Sequence, residues 1–181
     1  FIPAEDVIVP YGASDLDSCD RITQIVKLSQ NDLRKKQISG FYRDIDLTAY
    51  EGYEASDIQE KKNEIDGERP NDYSSDDMTE LLEMHIDLDL EGYEDINPKD
   101  NQPSGIKLPY IVTIDRGSNK VLSVYRNYNQ EDALRKKNEY FVHYKFLPGL
   151  GFYGFGLIHM IGGLTRTATT ALRQLLDAGT L

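Results

Sequence analysis

Cysteine is almost absent, with Cys19 the single example among 181 residues. One thiol excludes an internal disulfide framework and suits a reducing compartment. It sits in Ser-Asp-Leu-Asp-Ser-Cys-Asp, where the surrounding acids raise a thiol pKa, so it lacks the setting of a nucleophile. Positive charge is also short: 20 Lys and Arg face 31 Asp and Glu, for a net charge of −11. That balance argues against a surface that wraps nucleic acid through many phosphate contacts. It is compatible with a protein that lets DNA pass without gripping it. Catalytic signatures are missing too, with no G-x-S-x-G, H-E-x-x-H or P-loop. The three histidines are scattered, His85 and His143 in strand patterns and His159 in a helix pattern. No enzyme is expected, and no catalytic residue, metal ligand or cofactor is assigned. No basic region followed by an apolar run opens the chain, as a signal peptide would require. A start on Phe1 and a stop directly after a helix pattern read as a piece of a longer polypeptide.

What is present is mostly extended pattern. Asp6 to Val9 is a short extended run between Pro3 and Pro10. Arg21 to Leu28 alternates as a strand. Ser29 is an N-cap with Asp32 three residues on, and the helix it starts, Gln30 to Ile38, stops at Gly40. Phe41 to Tyr53 connects to a charged helix, Ala55 to Ile65, closed by Gly67. Glu68 to Asp77 has turn chemistry throughout. In Leu82 to Leu90 the residues Leu82, Met84, Ile86, Leu88 and Leu90 alternate with Glu83, His85, Asp87 and Asp89. Gly92 to Gly105 is a loop. Ile106 to Asp115 and Lys120 to Arg126 flank Arg116-Gly117-Ser118-Asn119, a hairpin signature. Asn129 to Asn138 is a polar turn or short helix, and Tyr140 to Leu147 supplies a further strand. Strands joined by hairpins and loops imply an α+β fold with an antiparallel meander and flanking helices. The expected division is a body over 1–147 and a glycine-rich turn with a long terminal helix over 148–181.

Two stretches invite a chemical reading. Gly149-Leu-Gly151-Phe-Tyr-Gly154 is a literal G-x-G-x-x-G between a strand pattern and a helix pattern. A dinucleotide site also needs a parallel βαβ unit and an acid at the end of the next strand. Here Asp177 is the only acid downstream and no strand follows, so the glycines are read as backbone devices for a sharp turn and close approach. Glu83, His85, Asp87 and Asp89 share one strand face that could hold a cation. Neighbours along one strand face do not converge on a point, so a solvated surface is expected instead.

From Phe146 to Thr165 the chain has no charged side chain, although 28% of all residues are charged. That length approaches a membrane span, and a membrane-active or membrane-docking module over 146–165 is the alternative reading. Pro148, His159 and the glycines fit burial between protein surfaces more simply. Beyond the turn, Leu157, Ile161, Leu164, Ala168, Ala171, Leu172 and Leu175 form an apolar stripe at helical spacing. Arg166, Thr169, Thr170, Arg173 and Asp177 form the opposite polar stripe. Gly162, Gly163 and four threonines keep the middle slim, which is costly for an isolated helix.

The segment FLPGLGFYGFGLIHMIGGLTRTATTALRQLLDAGTL, with LPYIVTID upstream, resembles the portal (head-to-tail connector) proteins of tailed bacteriophages. So do DVIVPYGASDLDSCDRITQIVKLSQNDLRKKQISGFYRDIDL and EMHIDLDLEGYED. The resemblance spans nearly the whole chain and carries no catalytic residue. It implies a subunit of a homo-oligomeric ring, usually a dodecamer, at one capsid vertex of the virion, assembled in the host bacterial cytoplasm. Double-stranded DNA would pass through its channel without sequence-specific binding during packaging and ejection. Terminase motor, scaffold and capsid proteins and a tail adaptor would be its partners, and no membrane is expected. The body would be the wing. Pro148, Gly149, Gly151, Gly154 and Gly156 would turn the chain into a stem helix over Phe155 to Ala178, packed through Leu157, Ile161, Leu164, Ala168, Leu172 and Leu175. Arg166, Thr170, Arg173 and Asp177 would form a channel-facing or inter-subunit stripe. Arg166 and Arg173 either meet passing phosphates or pair with carboxylates of the next subunit; pairing is favoured, since unpaired arginines would brake translocation.

Overall fold

The alternation in the Leu82 region becomes the centre of a sheet. In the computed structural model, which describes residues 1–47, 57–67, 78–97, 99–149 and 151–179, that strand is β3, Met78–Leu88. It pairs antiparallel with β2 (Arg21–Ser29) on one side and β4 (Leu108–Asp115) on the other. β1 (Val7–Ile8) and β5 (Val121–Arg126) complete a five-stranded antiparallel sheet in the order β1-β2-β3-β4-β5. Sequence order equals spatial order, as in a meander. With the helices below, the fold is α+β with an antiparallel sheet.

Local chemistry accounts for the connections. Ser29 caps α1 (Gln30–Ile38), its hydroxyl accepting the Asp32 N–H at 3.2 Å, and Gly40 leaves the helix at φ +78°. Between β4 and β5 the Asp115 carboxylate, fully buried, accepts the Ser118 N–H at 2.7 Å as well as its hydroxyl. Asn119 takes the left-handed conformation there (φ +55°), a position Asn tolerates well. α2 spans Asp57–Asp66. The expected loop at 68–77 lies outside the described residues, as does part of the connector over 41–53.

Both faces of the sheet carry core. One face holds Leu81, completely buried, with Leu33 from α1, Tyr42 and Leu122. The other holds Leu108, Tyr110, Val112 and Tyr128, with Met84, Ile86, Leu88 and Leu90 packed against them. This corrects the expectation that the Glu83 face of β3 is a solvated surface. Glu83 and His85 are partly covered and lie 3.4 Å apart. The bond from His85 lowers the Glu83 pKa against the effect of burial. Burial raises the Tyr42 pKa, with Glu83 adding to it.

A second correction concerns Tyr140 to Leu147. These residues form no strand of the sheet; only Leu147 makes an isolated bridge, to Phe155. The terminal helix, α3, spans Leu157–Gly179. The chain divides into two compact units, Phe1–Val9 with Asp20–Glu139, and Pro10–Cys19 with Tyr140–Leu181. The expected division at 147/148 falls within the second of these.

Candidate functional site

The second unit contains every residue singled out for the turn and the terminal helix. Its turn is closed at the base, where Phe155 N–H donates to the Leu147 carbonyl at 3.0 Å. Gly154 adopts φ +67°, and a Cβ there would stand 2.5 Å from the Leu147 carbonyl oxygen. No other residue fits without moving backbone. Gly149 lies against the Phe155 ring, and Gly151 takes φ +113° in open space. Pro148 is exposed beside the bridge. Leu150, inside the G-x-G-x-x-G, lies outside the described residues. The helix begins at Leu157, beyond Gly154. The last glycine therefore forms part of a closed turn, where a nucleotide fingerprint would place it within the first helical turn.

Side chains that sequence reasoning passed over hold this turn in place. Lys145 Nζ donates to the Gly151 carbonyl (3.2 Å) and to the Ser14 carbonyl (3.0 Å). His143 stacks on Phe152 with centroids 4.3 Å apart, and Phe152 is buried. The His143 Nδ1 is buried with no partner among the described residues. Burial lowers the His143 pKa, and the Lys145 charge lowers it further. His159 accepts the Gly156 N–H on its Nδ1 at 3.2 Å, a reciprocal cap from the third residue of the helix. A His three residues after a helix-opening Gly was the legible signal for that role. Cys19 is buried and its thiol donates to the Asp15 carbonyl at 2.9 Å.

α3 is the least covered element of its unit. None of its 23 residues is buried. Leu157, Ile161, Leu164, Leu172 and Leu175 are 44–73% exposed, and Ala168 is exposed between them. At 100° per residue these side chains share one face. Arg166, Thr170, Arg173 and Asp177 occupy the opposite face, all exposed. The threonines satisfy themselves: Thr165, Thr167, Thr169 and Thr170 each donate to the carbonyl four residues back, at 2.8–3.1 Å. Such back-bonding leaves methyl groups to meet a neighbour and no free hydroxyl donor. Burying one Leu or Ile from the stripe would contribute about 1.5–3 kcal/mol, and within its unit this face is left exposed.

Among the described residues, no group of three or more His, Cys, Asp or Glu is placed to hold a metal ion. No described helix is long and apolar enough to cross a membrane. No protein-family model, curated protein or solved structure matches the chain.

Proposed function

We propose that this chain is a structural, non-enzymatic part of a tailed-phage portal. In this reading the antiparallel body is the wing and α3 is the stem. The observation that carries it is the apolar stripe of α3, which stands open along its whole length while its threonines are already hydrogen-bonded. Copies packed side by side would cover the stripe, and the slim middle (Gly162, Gly163, Ala168, Ala171) lets helix backbones come close. Turned toward the neighbouring copy or the channel, Arg166, Thr170, Arg173 and Asp177 would form the polar lining. The acidic composition suits a conduit through which DNA slides without being held.

Electron microscopy of the full-length protein tests this. Closed rings, dodecamers as the resemblance implies, are the expected result. Monomers alone at every concentration, with a capsid scaffold supplied, would overturn it.

A membrane-docking role is the second reading, favoured by the exposure of Phe146, Tyr153, Phe155, Leu157 and Ile158. Liposome flotation separates the two. Absence of lipid binding removes it, and strong binding counts against a buried place between subunits.

A further inference from the structure

β5 is an edge of the sheet. Asn127 N–H donates to the Pro109 carbonyl at 2.9 Å. That bond fixes the alternation over the regular part of β5 beyond the register shift at Thr113/Ile114, so Val124 and Arg126 turn their backbone groups away from β4. The Leu122 carbonyl is taken by Arg43 N–H at 2.9 Å. Val124 and Arg126 have no backbone partner on that side among the described residues. Such an edge is a template for another strand. Beside it lies a groove of about 840 Å³ lined by Leu90, Glu91, Tyr93, Tyr110, Val124 and Arg126, among others. Its wall is braced: Tyr110 Oη donates to the Tyr93 carbonyl (3.4 Å), and the Arg126 guanidinium sits 5.9 Å above the Tyr93 ring.

A matching piece exists elsewhere in the chain. Residues 142–146, Val-His-Tyr-Lys-Phe, lie outside every strand of the sheet. The His143 stack on Phe152 and the Lys145 bonds tie those two side chains to their own unit. Val142, Tyr144 and Phe146 are left as an open row, with Tyr144 89% exposed. Alternation of this kind is that of a strand with one apolar face.

We propose that Val142–Phe146 of one copy adds as an extra strand to the Val124–Arg126 edge of a second copy, with Tyr144 entering the groove beside Tyr93 and Tyr110. Charge favours a second copy as the occupant. The loop bordering the groove carries Glu91 and Glu94, and the incoming segment has no acid between Tyr140 and Leu176 to repel them. The inference rests on the ring reading and deepens it. It joins two different surfaces of one chain, and such a head-to-tail contact closes into a ring when its rotation closes.

The test uses the full-length protein carrying Cys19→Ser, with Val124→Cys and Tyr144→Cys made as separate variants. Mixed under mild oxidation, they should give a covalent two-chain adduct that neither variant forms alone. A mixture that yields no more adduct than the control pair of Ser39→Cys and Tyr144→Cys overturns the contact. Rings without the adduct leave the ring reading standing and sink this contact; the adduct without closed rings does the reverse. Val124→Pro removes an outward N–H that the sheet does not use and should weaken association about tenfold, the worth of one main-chain hydrogen bond. Tyr144→Ser, at an exposed site, should weaken association independently of any change in the sheet. Unchanged association in a folded Val124→Pro or Tyr144→Ser variant overturns the proposal.

Discussion

Gly154 and Leu147 share the tightest approach in the turn: a Cβ on Gly154 would lie 2.5 Å from the Leu147 carbonyl oxygen, the atom that accepts the Phe155 N–H. The obstacle is backbone, and the φ of +67° is itself unfavourable for an L side chain. Gly154→Ala should therefore destabilise the turn by about 1–3 kcal/mol. Gly149→Ala meets only the Phe155 ring, whose exposed edge can swing aside, and should cost less. Gly163→Ala, in open space within α3, should stabilise the helix by about 0.5–1 kcal/mol. Hydrogen exchange at the Phe155 and α3 amides ranks the three, and a Gly149→Ala effect larger than that of Gly154→Ala would contradict the ordering.

Leu164 and Leu172 should separate assembly from folding. Both are well exposed, so Leu164→Glu with Leu172→Glu should leave thermal unfolding of the isolated chain unchanged while abolishing ring formation. Leu81→Ala, at a completely buried site, should instead cost about 2–5 kcal/mol of stability. Light scattering and calorimetry on the same samples read both quantities. Loss of chain stability in the α3 variant would mean that the stripe is covered within the chain.

His143 gives the second unit a pH dependence of defined sign. Its folded pKa lies below its ordinary value of 6.5, first through burial and then through Lys145. Folding thus favours the neutral ring. The contribution is fully present above the unfolded value and is lost as pH falls through the lower folded value. Fluorescence-detected unfolding from pH 8 down to about pH 5 should show stability falling, and His143→Gln should flatten that slope. An unchanged slope in the variant assigns the pH response elsewhere.

Arg166 and Arg173 stand on the exposed polar stripe of α3. Reversing both charges should impair ring assembly or DNA packaging, since each reading of the stripe places these cations against carboxylate or phosphate. Phage yield measured by complementation checks this. Wild-type yield from the double Glu variant would remove the stripe from the mechanism.

The period of two in β3, the capped helix after Ser29 and the Asp115–Lys120 hairpin were legible because each is decided by neighbours in sequence. Alternation, an N-cap hydroxyl and a turn-forming Asn act over a few residues. The same holds for the two stripes of α3, which follow from helical geometry alone. Tyr140 to Leu147 has equally good strand chemistry, yet pairing needs a ladder partner within reach, and no residue spacing reports that. The Glu83 face looked solvated for a related reason. Its cover, α1 and Tyr42, arrives from distant parts of the chain, and so does the Ser14 carbonyl that Lys145 meets.

By itself, the sequence determined which elements form and which of their faces are apolar, because periodicity and capping are short-range. Only the tertiary structure decided which apolar faces find a partner inside the chain. Leu81 does, under α1, because α1 follows directly on β2 and β2 pairs with β3. The stripe from Leu157 to Leu175 stays exposed within its own unit, which among the described residues holds no other helix or strand to pack against it.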